Sequence, residues 1–277
     1  MHVLPTVQTL LEHSIDYAGL FPPASLDLEI ALNNYRRYQY SDHAWLLGKF
    51  VLPASHLNSF RAFDHAQQIP LTLLVANPDL PNLDALRIDS AEIKWGALGT
   101  ETSQSLPAHI PRYMEVPVDA DLPNKLASLA EAGEHAKIRT GGVEESMIPS
   151  NRDVATFLIE CNKAHVAFKA TAGLHHGLCG RYPLTYETYA SSGRMHGFLN
   201  VFVAAGLVFR GAVAEDIMPL LEEAAPRAIT FEQKSVHWQN LELKLDEIEE
   251  VRRQFIHSFG SCSFEEPVEE LKTLGLL

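Results

Sequence analysis

From residue 14 to residue 171 the chain alternates short strand-like runs with amphipathic helix-like runs, and no clear linker interrupts them. This alternation restricts the fold more than any other feature. Strands separated by helices pair in parallel, because a parallel neighbour is reached only through a crossover long enough to hold a helix. Strands are expected at residues 14–20, 45–52, 70–76, 91–97, 112–118, 135–140 and 165–171. Helices are expected at 26–40, 57–67, 83–87 and 123–133, with a further one capped by residues 150–153 and reaching about 163. Seven such units, with one more at the end, predict an α/β fold: an eight-stranded parallel (β/α)8 TIM barrel, one domain over residues 1–277.

The rhythm breaks at about residues 176–246, which hold a loop rich in Gly and Tyr, an apolar helical run at 195–208 and an acidic helix at 214–224. A hairpin at 229–238 and 241–245 follows, turning at Gln239-Asn240. This reads as a helical and hairpin insertion before the last strand, with strand eight at 255–259 and a closing helix at 268–274. A rival assignment puts strand eight at 229–231 and a helix over 245–259; periodicity fits both.

A net charge of −13 argues against nucleic acid or an anionic membrane as the main partner. No apolar run is long enough to span a bilayer; residues 198–209 come closest. The first Lys or Arg is Arg36, so the start does not read as a signal or transit peptide. Cys161, Cys179 and Cys262 are too few and too scattered for a disulfide framework, which fits a reducing, cytoplasmic setting. Homo-oligomer formation is left open.

Strand side chains alternate faces, and the rule yields a common result here. Lys137 and Arg139 share one face of His135-Ala136-Lys137-Ile138-Arg139-Thr140-Gly141-Gly142. Lys169 lies opposite Val166, Phe168 and Ala170 in the next strand, which also runs into a glycine, Gly173. Lys49 alternates with Gly48 and Phe50, Lys94 shares a face with Glu92, and Glu115 opposes Met114 and Val116. Lys49, Lys94, Lys137, Arg139 and Lys169 are thus expected on inner faces, with Asp16, Glu92 and Glu115 as counter-charges. Such a cationic centre suits a small anionic ligand. A lysine crowded by other cations has a lowered pKa and attacks carbonyls as a free amine. The bland alternative is a set of structural ion pairs, such as Lys94 with Glu115.

Gly141-Gly142 follows a strand, where backbone N–H groups can cradle an anion. His175, His176, His196 and Glu115 could bind zinc, but adjacent strand residues face opposite ways and no His-x-x-x-His spacing occurs. Proton transfer or anion binding at the barrel top is the favoured role for His175, with a solvated loop residue the plain reading of His176. Cys262 reads as a small buried thiol in a tight turn rather than a nucleophile.

These residues resemble the deoxyribose-phosphate aldolase family of class I aldolases. Lys137, Thr140 and Gly141 match that family's Lys-Thr-Ser-Thr-Gly segment, and Phe168, Lys169 and Gly173 its Phe-Lys-Pro-Ala-Gly-Gly-Ile-Arg. Ile15-Asp16-Tyr17-Ala18-Gly19-Leu20-Phe21-Pro22 is similar to its Ile-Asp-His-Thr-x-Leu-x-Pro, and Phe259-Gly260-Ser261-Cys262-Ser263 to its phosphate loop. The resemblance implies that Lys137 forms the Schiff base and Lys169 tunes it. The family's relay aspartate is replaced: Glu92-Ile93-Lys94 stands where it has Glu-Ile-Asp, and Leu174 and His175 replace its second glycine and arginine.

The expected function is a class I aldolase-like lyase, free of metal and cofactor, acting on a small anionic, phosphorylated carbonyl compound. The catalytic set would be Lys137, Lys169, Glu115, His175, Arg139, Lys94 and Asp16. Lys49, Thr140, Gly141, Gly142, Gly173, Ser261 and Ser263 would contact substrate or phosphate. Two alternatives stand beside it: a metal-assisted isomerase or hydrolase built on His175, His176 and Glu115, and a non-catalytic barrel that binds a sugar phosphate.

Overall fold

The computed structural model describes residues 3–77, 79–96 and 106–277. Seven strands come first: β1 (Ile15–Tyr17), β2 (Leu47–Pro53), β3 (Leu71–Val75), β4 (Ile88–Lys94), β5 (Arg112–Glu115), β6 (His135–Arg139) and β7 (Phe168–Thr171). The insertion adds β8 (Gly180–Pro183), β9 (Ser192–Met195), β10 (Ile229–Phe231), β11 (Ser235–Trp238) and β12 (Leu241–Lys244), and β13 (Ile256–Ser261) returns to the barrel. Strands β1 to β7 and β13 close into one all-parallel barrel in the order β1-β13-β7-β6-β5-β4-β3-β2. The expected (β/α)8 architecture is the one formed. Ala97, the expected end of strand four, lies outside the described residues.

The helices are α1 (Pro5–Leu11), α2 (Leu28–Gln39), α3 (Leu57–Arg61), α4 (Leu122–Ala132), α5 (Asn151–Lys163), α6 (Phe198–Phe209), α7 (Ala214–Leu221), α8 (Leu245–Gln254) and α9 (Glu265–Thr273). The expected cap of α5 is a reciprocal one: Ser150 Oγ accepts the Asp153 N–H at 3.2 Å, and the Asp153 carboxylate accepts the Ser150 N–H at 3.0 Å. The reading of 57–67 as one helix resolves into α3 and a 3-10 turn at Ala66–Gln68, and residues 83–87 form turns rather than a helix. Helix α1 went unread. It opens on Pro5, buries Val7, Leu10 and Leu11, and packs on α8. Among the described residues no helix is long and apolar enough to cross a membrane.

The insertion begins with a β8–β9 hairpin where a loop was expected. Helix α6 is buried on nearly its whole circumference, as an all-apolar helix must be. Phe198 stacks on Phe259 of β13 at 5.2 Å between ring centroids, and Phe202 meets the same ring edge-on at 5.7 Å. The far side of α6 is covered by α7, α8 and β12. Its buried Asn200 donates to the carbonyls of Leu220 and Glu223 at 2.7 and 2.9 Å and accepts the Cys179 N–H at 2.9 Å. Strand eight lies at β13, close to the expected 255–259. The rival placement fails because Ile229–Phe231 pairs antiparallel with β11, outside the barrel. The helix in that rival exists as α8 but stops at Gln254, where Phe255 turns onto Phe168 and the chain joins β7.

The loops after β6 and β7 touch backbone to backbone. A Cβ on Gly141 would sit 2.8 Å from the Cα of Gly173, whose φ is +75°. These glycines therefore serve close approach between two loops. Thr140 ties the same loops, donating to the Thr171 and Ala172 carbonyls at 3.1 and 2.5 Å. Gly133, which ends α4 at φ +65°, faces open space. Gly133→Ala is expected to cost only the left-handed strain, about 1–2 kcal/mol. Gly173→Ala adds a forced separation of two backbones and is expected to cost about 3 kcal/mol or more. Urea unfolding of both variants checks this; equal losses would show that the Gly141–Gly173 contact is slack.

Candidate active site

Each of five barrel strands aims a charge inward: Asp16 from β1, Glu92 from β4, Glu115 from β5, Lys137 and Arg139 from β6, and Lys169 from β7. Alternation anticipated these phases, and the barrel joins them into one chain of opposite charges. Asp16 Oδ2 accepts from Lys169 Nζ at 2.5 Å and from the Ser258 hydroxyl of β13 at 2.8 Å. Lys169 Nζ also meets Glu92 Oε1 at 2.5 Å. The other oxygen of Glu92 takes Lys137 Nζ at 2.7 Å, and Lys137 reaches Glu115 Oε2 at 2.8 Å. Glu115 Oε1 then accepts from Arg139 Nε at 3.2 Å. Side-chain exposure grades along the chain, from 1% at Asp16 and Lys169 to 15% at Glu115 and 49% at Arg139.

The pairing corrects the expected cationic centre, because three carboxylates alternate with three cations. Burial alone would discharge each group, and the partners outweigh it. Burial raises the Glu92 carboxyl, but Lys137 and Lys169 bring it down to about 2. Asp16 is likewise held low by Lys169 and Lys49 against the effect of burial, and Glu115 by Lys137 and Arg139. Burial works against the Lys169 ammonium, yet Asp16 and Glu92 push its pKa up. The expected lowering by cation crowding thus does not describe Lys169.

Above this chain opens a cavity of about 330 Å³ on the C-terminal side of the strands. Lys137, Glu92, Glu115 and Arg139 line one part of it, and Phe21, Val51, Leu74 and Met147 give it apolar walls. Lys169 sits one ion pair deeper. Beneath it Tyr113 and His257 hydrogen-bond at 2.7 Å, and the Lys169 ammonium lies 5.6 Å from the Tyr113 ring centre. Burial pushes His257 down to about 4, helped by His135, Arg252 and Lys49, so this floor stays neutral.

The remaining expected residues are distributed as follows. Lys94 ends β4 exposed to solvent; Glu115 is its register partner, yet no ion pair joins them. Lys49 lies at the opposite end of the barrel, beside a second cavity lined by His13, Gly48 and Arg87. Its backbone N–H, rather than its ammonium, donates to Asp16 Oδ1 at 2.8 Å. Gly142 borders the main cavity, where a Cβ would strike Met147. Residues 260–263 do lie beside β7 at the barrel top, since Gly260 pairs with Thr171. Their serines are engaged locally: Ser261 donates to the Ser263 carbonyl at 2.6 Å, and Ser263 Oγ accepts the Glu266 N–H at 3.1 Å.

The three histidines face apart. His176 Nδ1 meets Glu270 at 2.9 Å while its ring stacks on Tyr182, and His196 Nε2 meets the Pro149 carbonyl at 2.8 Å. His175 lines the cavity and contacts Glu266 at 3.0 Å and Cys262. Glu92 was expected as a counter-charge and, with Glu115, as a replacement for the relay aspartate, but not in the catalytic set; Ser258, His257 and Glu266 were not expected at the site. The alternation of β13 against outward Phe259 was the signal for Ser258.

No family model, curated protein or solved structure matches this chain.

Glu92→Gln leaves two buried ammonium groups sharing a neutral amide and is expected to cost about 3–5 kcal/mol. A carboxylate whose pKa is depressed stabilises fully above its unfolded value and loses that contribution as pH falls toward its folded value. The stability gap between wild type and Glu92→Gln should therefore hold above about pH 4.3 and shrink as pH falls toward about 2. Denaturant titrations from pH 7 to pH 3 test this, and a pH-independent gap would refute the assigned ionisation.

Proposed function

We propose that this protein is a class I aldolase-like lyase, needing neither metal nor cofactor, in which Lys137 forms an imine with a small anionic carbonyl compound. One observation carries the reading: Lys137 is the lysine that lines the cavity, and it holds a carboxylate on either side. The resemblance to deoxyribose-phosphate aldolases puts the Schiff-base lysine at the same position. Arg139, half exposed beside Glu115, is the group placed to meet the ligand's negative charge, and phosphate suits its forked donors.

The chemistry follows from the charge order. When the ligand's anion pairs with Arg139, Glu115 loses one of its two cationic partners, so its pKa rises and it accepts a proton from Lys137. The free amine adds to the carbonyl carbon, and protonation of the resulting hydroxyl by Glu115 expels water to leave a cationic imine. A carboxylate removes the proton of the β-hydroxyl, the C–C bond breaks, and its electrons move into the imine to give an enamine. Protonation of the enamine and hydrolysis by water release the second product and restore Lys137. Glu92 keeps Lys137 aligned throughout, in the place of the family's aspartate, while Lys169 and Asp16 fix Glu92. The imine is the electron sink, so chelators are expected to leave turnover unchanged.

Incubation with an aldehyde panel and borohydride should add mass at Lys137 and none there in Lys137→Met. Glu115→Gln should slow trapping by about a hundredfold, the lower range for a general acid–base group. Mass only at surface lysines across the panel would overturn the aldolase reading. Sugar phosphates should raise the melting temperature more than the parent sugars, and Arg139→Gln should abolish that difference.

A further inference from the structure

The opposite wall of the cavity carries a second set of reactive groups, which the lysine chemistry does not use. Cys262 follows the end of β13 and lines the cavity. Its sulfur lies 3.9 Å from both ring nitrogens of His175. Nδ1 also meets Glu266 Oε2 at 3.0 Å and Ser261 Oγ at 3.3 Å. That arrangement directs the Nδ1 proton to the carboxylate and leaves Nε2 to accept a proton from the thiol. Tyr186, from the loop between β8 and β9, brings its hydroxyl to 3.6 Å from the sulfur.

We propose that Cys262 is an activated thiol, with His175 as its base and Glu266 orienting the base, and that it adds to the carbonyl carbon of a small aldehyde in this cavity. The S–H proton passes to Nε2. The S–C bond forms as the carbonyl π pair moves onto oxygen, and that oxygen takes the proton back from the imidazolium. The product is a thiohemiacetal, with nothing oxidised and no group expelled. Burial opposes the charge on His175, but hydrogen bonds to Cys262 and Glu266 overcome it and raise the imidazole to about 9. Among the described residues Tyr186 from the hairpin loop and Tyr17 from β1 also face the sulfur, both pushed up chiefly by burial and thus neutral.

Native protein treated with iodoacetamide between pH 5.5 and pH 9, with each cysteine followed by peptide mass, tests the thiol independently of Lys137. Cys262 is buried like the other two cysteines but lines the cavity, so it should be alkylated while Cys161 and Cys179 are spared. Its rate should stay nearly flat from about pH 6 to 8.5, where that of an ordinary thiol climbs about tenfold per unit, and exceed that of glutathione at least about tenfold at pH 6. His175→Asn should restore the ordinary profile. Millimolar glyceraldehyde should slow the alkylation, in wild type and in Lys137→Met alike. A wild-type Cys262 that is unlabelled in the native state, or whose rate climbs tenfold per unit up to about pH 8.5, overturns the activated thiol. Absence of protection by glyceraldehyde, or protection lost in Lys137→Met, overturns the aldehyde adduct. Failure of imine trapping at Lys137 bears only on the aldolase reading.

Discussion

The alternating chain Asp16–Lys169–Glu92–Lys137–Glu115–Arg139 is the constraint on which the rest of the molecule turns. Burying one unpaired ion costs several kcal/mol, and a barrel built only for stability fills its interior with branched apolar side chains. Here each interior charge faces neighbours of opposite sign, and removing one of the fully buried members leaves its neighbour short of a partner. The network also disciplines the sheet. It takes a charge from each of β1, β4, β5, β6 and β7, and a slip of two residues in any one would move its charge about 7 Å along the barrel. The partner would be left buried and unpaired. Register and chemistry are therefore specified by the same six side chains.

The alternating pattern made the barrel legible, because parallel pairing with covering helices leaves few other closed arrangements. It also put Asp16, Glu92, Glu115, Lys137, Arg139 and Lys169 on the inner surface. What strand phase cannot supply is the layer, since the stagger between strands arises only when the barrel closes. Glu92 and Lys94 share a face, but Glu92 falls level with the two lysines while Lys94 reaches solvent at the rim. Lys49 has an inward-looking pattern as well, yet lies at the far end. The glycines show a different limit. Gly141 and Gly173 look like a cradle for an anion when read one segment at a time, and their mutual contact exists only once β6 and β7 are neighbours. Helix α8 and β13 divide a stretch whose apolar period suits either state, and the packing of Phe255 on Phe168 places the boundary.

Exposure along the charge chain separates a fixed end from a responsive one. The Asp16–Lys169 pair is sealed from solvent. The Arg139–Glu115 pair is half open, and pairs of that kind are worth about 0–1 kcal/mol, so a ligand's anion can compete for Arg139 at little cost. Lys137 stands at the junction, buried between Glu92 and Glu115 yet lining the cavity. The best-buried lysine is thus not the one that meets the cavity.

Strand β13 extends this logic to the other wall. It inserts between β7 and β1, sends Ser258 down to Asp16, and leads through Gly260 to Cys262, both of which line the cavity. One strand therefore positions both the fixed end of the ion chain and the thiol. The insertion braces it from behind, through Phe198 and Phe202 of α6 against Phe259, and returns in front, where the loop after β8 carries Tyr186 to the sulfur. A long departure between β7 and β13 is easily taken for decoration on a standard barrel. Its contacts instead hold the strand that carries both Ser258 and Cys262, so loosening α6 should disturb Lys169, through Asp16, together with Cys262, although it touches neither.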